Sequence, residues 1–120
     1  MASFNQALEA VSRKIPEIQV VMIMGTDGIP IEKLVVRQSA NMEAVAAEYT
    51  TLLRASVSAA ADTGLGELLE LTVVTEKMTT LLVGITSEYF LFAALQPGAL
   101  IGRARYALRV AGLGLQKEFA

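Results

Sequence analysis

The 120-residue sequence predicts one mixed α/β domain of the α+β kind: a five-stranded, mainly antiparallel sheet with helices on both faces. Three observations predict it. Apolar residues switch between the helical and the strand period in the order α-β-β-α-β-β-β-α. Two of the strand segments, the first and the fifth, are apolar on both faces, which requires central positions and cover from both sides. The strands follow one another through two hairpins and a meander, the connections of an antiparallel sheet.

Each element has its own signal. Phe4, Leu8, Val11 and Ile15 fall on one helical face, with Ser3 as N-cap, and Pro16 ends that helix. From Ile18 to Met24 the residues Ile18, Val20, Met22 and Met24 point one way and Val21 and Ile23 the other. Thr26-Asp27-Gly28 is a hairpin signal, since Asp-Gly supplies positive φ angles. The return strand, Ile29 to Val36, contains Pro30, which cannot donate to a ladder and so assigns it to an edge. Asn41 caps a long helix from Met42 to Thr63, Glu43 complements its dipole, and Gly64 stops it. Glu67 to Thr75 alternates, with Leu69, Leu71 and Val73 on one face and Leu68, Glu70, Thr72 and Val74 on the other. Glu76-Lys77 turns the chain into Met78 to Thr86, and Ser87-Glu88 turns it into Tyr89 to Gln96. Pro97-Gly98 breaks the sheet, and Ala99 to Lys117 forms a last helix with Ala104, Leu108, Ala111 and Leu115 on one face. The domain runs from Ser3 to Lys117 without linker, repeat or charge block.

Composition narrows the function. Hydrophobic residues make up 53% of the chain. With the nine glycines the total is about 60%, against roughly 45–50% in an average soluble domain. A domain this small has too little interior for that surplus, which predicts self-association or an apolar partner. Twelve acidic against ten basic residues give a net charge of −2, so no polybasic footprint for nucleic acid or an anionic membrane is expected. The absence of Cys and His removes thiolate chemistry, the commonest metal ligand and the commonest general base. No apolar run approaches the ~18 residues of a membrane span, and no positively charged N-terminal region precedes one. A cytoplasmic protein is expected.

The search for catalytic groups is negative. There is no phosphate-binding P-loop, and Gly64-Leu65-Gly66 leads into a strand and lacks the third glycine of a dinucleotide fingerprint. The chain is therefore expected to bind no nucleotide of its own. No serine has a Ser-x-x-Lys spacing, Glu67 and Glu70 lie on opposite faces of a strand, and no calcium loop occurs. No catalytic residue, cofactor or metal is expected.

Three segments carry a resemblance: Ile23-Met24-Gly25-Thr26-Asp27-Gly28-Ile29-Pro30-Ile31 at the first hairpin, the alanine-rich stretch from Ala44 to Asp62, and Leu100-Ile101-Gly102-Arg103-Ala104-Arg105 opening the last helix. In order and spacing, over nearly the whole chain, they resemble the Roadblock/light-chain-7 family, which includes dynein light chains and the MglB-type regulators of small Ras-like GTPases. The resemblance implies strand order 2-1-5-4-3, with the long helix on one face and the two terminal helices on the other. It also implies a homodimer or heterodimer in which the third strands pair and the long helices lie side by side, placing Leu69, Leu71, Val73, Ala44 and Ala61 at the interface. The chain ends at Ala120, just past the last helix, so no role for a longer C-terminal tail is expected.

The long helix is the most informative element. Met42, Val45, Tyr49, Leu52, Leu53, Ser56 and Ala60 are predicted to cover the sheet. The opposite side reads Ala44, Ala47, Thr51, Arg54, Ala55, Ser58, Ala61 and Asp62. A plain solvent face would hold more Lys and Glu. Small residues either reflect the helix propensity of alanine or provide a surface for close approach. Ala47, Thr51, Arg54, Ala55, Ser58 and Asp62 are the candidate partner-binding residues. Arg54 reads as a solvated arginine rather than an arginine finger, since the resemblance implies action on the GTPase's own switch regions. Arg103, Arg105 and Arg109 read as a solubilising stripe on the last helix, with Tyr106, Val110 and Leu113 leaning outward.

The expected function is a dimeric regulator that binds a small Ras-like GTPase and modulates its cycle. Two alternatives stand: a scaffold or light-chain subunit of a larger complex, and a PAS-like or profilin-like ligand sensor, which needs a polar-lined cavity between sheet and helix.

Overall fold

Ser3 opens the first helix through a reciprocal cap. Its hydroxyl accepts from the Gln6 N–H at 3.1 Å, and its own N–H donates to Gln6 Oε1 at 3.0 Å. From there a computed structural model describes residues 3–37 and 41–119. Met1, Ala2 and Ala120, which entered the reading of the two termini, lie outside the described residues. The elements are α1 (Phe4–Lys14), β1 (Ile18–Gly25), β2 (Pro30–Val35), α2 (Met42–Asp62), β3 (Glu70–Val74), β4 (Thr79–Gly84), β5 (Tyr89–Leu95) and α3 (Ile101–Leu115), followed by a 3-10 turn, Gln116–Phe119.

The sheet has the order β2-β1-β5-β4-β3, with every neighbouring pair antiparallel. β1 and β5 are central, and Met22 sits between Lys33 of β2 and Phe92 of β5. β2 is an edge. Pro30 opens it opposite Met24, and the register shifts between Ile23 and Met24. The hairpin before it turns at Gly28, whose φ of 88° favours glycine, and Asp27 Oδ1 accepts from the Ile29 N–H at 3.0 Å.

Two cores lie on the two faces of the sheet. On one, Val21, Ile23, Leu81, Leu91 and Ala93 pack with Leu8 and Val11 of α1 and Ala104, Leu108 and Leu115 of α3. On the other, Val20, Met22, Met24, Leu82, Phe90 and Phe92 pack with Met42, Ala46 and Leu53 of α2. Small residues set the spacing of the first layer. A Cβ on Gly112 of α3 would lie 3.3 Å from the Gly84 carbonyl oxygen, so this helix approaches the end of β4 closely.

Three local expectations are corrected. α2 buries Met42, Ala46, Thr50 and Leu53, while Leu52 is 42% exposed and Val45, Tyr49, Ser56 and Ala60 are only partly covered. The helix is turned so that its smaller residues meet the sheet. Alanine allows the approach, and the Thr50 hydroxyl satisfies itself by donating to the Ala46 carbonyl at 2.7 Å. β3 begins at Glu70 rather than Glu67, so Leu69 is not part of the alternating strand. Gly66, with φ of 87°, and the irregular stretch after it let Leu68 turn into the α2 core, where Leu71 also packs. The last helix ends at Leu115, and the chain finishes in the 3-10 turn, where Phe119 stacks on Tyr89 with ring centres 4.1 Å apart.

Candidate partner-binding surface

α2 is amphipathic by size rather than by charge. Asn41 fixes its start by accepting from the Ala44 N–H at 3.2 Å, and Thr63 closes its other end by donating its N–H to Ala59. Because Leu53 is the last fully buried residue, the final two turns rest only lightly on the sheet. Ala47, Thr51, Arg54, Ala55, Ser58 and Asp62 are all exposed, as are Ala44 and Ala61. At 100° per residue, Ala44, Thr51, Ala55, Ser58 and Asp62 form the centre of the outer face. Arg54 lies on its flank and is not simply solvated: Nη1 donates to the Thr26 carbonyl at 2.5 Å, tying α2 to the β1–β2 turn. Lys33 of β2 pairs with Glu43 at 2.7 Å on the same flank. Both contacts hold their long side chains to the flank; on the outer face itself Glu48, exposed one turn after Ala44, stands among the small residues.

β3 is the other component. It is five residues long, lies at the sheet edge, and pairs on one side only, with β4. Leu71 and Val73 are half-buried on the α2 side, and Val74 is exposed on the other. Leu69, 60% exposed, precedes the strand. The residues proposed for a dimer interface are thus split between the β3 edge (Leu71, Val73), the segment before it (Leu69) and two exposed positions on α2 (Ala44, Ala61).

Glu70 is the residue that the sequence pattern did not single out. It faces α3, where Arg105 bonds its Oε1 and Arg109 lies 3.6 Å from the same atom, while Oε2 is buried without a hydrogen-bond partner. The two arginines are therefore not a free solubilising stripe; they fasten the one acidic side chain of the edge strand to the helix layer. The spacing of Arg105 and Arg109 carried half the signal, since i, i+4 places both on one side of α3. The partner, thirty-five residues upstream, became visible only in three dimensions.

The hydrogen bond from Arg105 holds the Glu70 carboxyl below its ordinary value of 4.5. Burial pulls the other way, and the charges of both arginines add to the lowering. A depressed carboxylate contributes stability above its unfolded pKa and loses it as pH falls through the folded value. Wild-type urea midpoints are expected to fall below about pH 4.5 with a component that Glu70→Gln lacks, and the variant is expected to be less stable than wild type at neutral pH. Parallel pH dependences in the two proteins would exclude this role for Glu70.

An open cleft of about 630 Å³ lies between the second half of α2 (Leu53, Val57) and the end of the sheet (Gly84, Phe90), bordered also by Leu68, the Thr86-Ser87 turn and Phe119. Among the described residues no group of three or more acidic side chains is placed to hold a metal ion, and no helix is long and apolar enough to cross a membrane.

Comparison with known proteins places this geometry. Residues 5–95 match the family model of the Roadblock/LC7 domain. A Roadblock/LC7 domain from Streptomyces avermitilis superposes with a TM-score of 0.85 at 13% identity, with 98% of each chain covered. The gliding protein MglB from Thermus thermophilus gives 0.84 at 15% identity, covering 97% of this chain and 89% of that one. MglC from Myxococcus xanthus gives 0.70 at 29% identity, covering 98% and 99%. A comparison with curated protein sequences gives no significant match.

Proposed function

We propose a function for a chain that belongs to the Roadblock/LC7 domain family: a cytoplasmic, dimeric regulator, acting as one domain over residues 3–117, that binds a small Ras-like GTPase and modulates its cycle without chemistry of its own. The observation that carries this reading is the outer face of α2. It presents Thr51, Ala55, Ser58 and Asp62 as a nearly smooth strip, with Ala47, Glu48 and Arg54 beside it. Close approach of a switch region, or of a second helix, needs such a strip. The open β3 edge supports the dimer. Leu71, Thr72, Val73 and Val74 are uncharged, and pairing them with their symmetry mates removes an edge that otherwise invites aggregation.

Arg54 is spent on the Thr26 carbonyl, which favours action through groups that the GTPase itself owns over an arginine supplied in trans. The test combines light scattering with capture of the Ras-like GTPases of the same organism. The purified chain is expected to scatter as a dimer at micromolar concentration. It is expected to retain a GTPase loaded with a non-hydrolysable GTP analogue better than the same GTPase loaded with GDP. A monomer would exclude the homodimer. A dimer that retains no GTPase in either state would shift the reading to a scaffold or light-chain subunit.

A further inference from the structure

The layer formed by α1 and α3 lies across the sheet from α2, and its outer side carries an exposed apolar stripe. Tyr106, Val110 and Leu113 recur at i, i+4 and i+7 along α3 and are 73%, 41% and 64% exposed. Val110 also borders a groove of about 220 Å³ between the two helices, lined largely by the small residues Ala7, Ala10, Ala111 and Gly114. Small side chains on both walls leave room for a large one from outside.

The charge around this face is one-sided. Arg13 and Lys14 of α1, Arg103, Arg105 and Arg109 of α3 and Lys117 beyond it stand against Glu9, Glu70 and Glu118, a net of +3. The rest of the chain holds nine acidic and four basic residues, a net of −5. Arg105 and Arg109 are engaged by Glu70. Arg103, two turns before Val110 on the same face, and Lys14, which lines the groove with Glu118, stand beside the apolar stripe on its groove side.

We propose that this face docks an acidic amphipathic helix of a partner protein. Its apolar side chains, spaced i, i+3 or i+4, and i+7, seat on Tyr106, Val110 and Leu113, and one of them enters the groove. Its carboxylates meet Arg103 and Lys14. The charge balance selects this occupant. A second copy presenting the same face would bring +3 against +3, and a planar lipid surface would leave the groove unfilled. The site is independent of the α2 surface and does not rest on the GTPase reading.

The test pans the full-length chain against a displayed library of helical peptides, roughly 16 residues long, enough for four to five turns. Selected peptides are titrated against wild type, the double variant Tyr106→Ser/Leu113→Ser, and Arg103→Glu. The selected sequences are expected to be net acidic with apolar residues at helical spacing. The double substitution is expected to weaken them at least about tenfold, as loss of central apolar anchors does. Arg103→Glu is expected to weaken them several-fold and to reduce their salt dependence. Unchanged thermal melts of the variants separate lost docking from lost folding. The proposal is overturned if the peptides show no acidic bias or bind the double variant as tightly as wild type. It is equally overturned if the double substitution lowers the oligomeric state by light scattering, or if wild type but not the double variant co-sediments with phosphatidylserine vesicles.

Discussion

Phe92→Ala is expected to remove about 3–5 kcal/mol of folding stability, the usual effect of deleting a buried aromatic ring. Phe92 is fully buried at the middle of β5, between Met22 of β1 and Leu82 of β4, and its ring belongs to the core under α2. Its neighbours cannot close the space, because they are strand residues held by ladders on both sides. A domain of this size has on the order of 5–15 kcal/mol in total, so the variant is expected to be partly unfolded at 37 °C or close to it. The measurement is the urea midpoint at one fixed protein concentration, since association shifts apparent stability. A lowered midpoint with unchanged slope is the expected result. A loss below about 1 kcal/mol would mean that α2 settles into the space, and that the layer beneath the proposed partner surface is softer than its burial indicates.

The second large effect concerns binding rather than folding. Ala55→Arg or Ser58→Arg adds a long side chain and a charge to the smooth strip on α2. If that strip is an interface, burying the unpaired charge is expected to weaken binding on the order of a hundredfold, about 3 kcal/mol. Neither change is expected to unfold the chain, because both positions are exposed and arginine is a good helix former. Light scattering and GTPase capture are read on the same preparation. Loss of the dimer identifies the strip as the seam between protomers. A retained dimer that no longer holds the GTPase identifies it as the docking surface. If both survive, the strip reflects the helix propensity of alanine and the GTPase contact lies elsewhere on the chain.

The architecture was legible because its signals are local and redundant. Pro30 marked an edge strand, and the two-sided apolar runs at β1 and β5 marked the centre. Ser3 and Asn41 marked helix starts. The strand order rested on the family resemblance, since no local pattern orders β3, β4 and β5 uniquely. The rotation of α2 was not legible: hydrophobicity favours Leu52 over Ala46 and Thr50, whereas a helix packed on a sheet also selects for small volume, and Thr50 can hide its hydroxyl on its own helix. The start of β3 was misplaced because Leu68-Leu69 extends the apolar alternation into a stretch whose backbone leaves the strand. Of the candidate site, exposure of the α2 residues followed from periodicity alone. The bond from Arg54 to Thr26 and the grip of Arg105 on Glu70 join residues far apart in sequence, and no single-chain pattern encodes such pairs.

The two edges of the sheet differ in a way that governs growth. β2 carries Pro30, a register shift, and the charged pair Glu32-Lys33. β3 is short and apolar, with its one acid drawn onto α3. Under the proposed β3 pairing the chain is, in the language of polymer chemistry, a monofunctional monomer. One end can join a like end, and the other is a terminator, so each joining event consumes both reactive groups and no propagating species remains. For the proposed β3 pairing, this predicts a product of fixed size however concentrated the protein becomes, where a chain with two open edges would add subunits indefinitely into a ribbon.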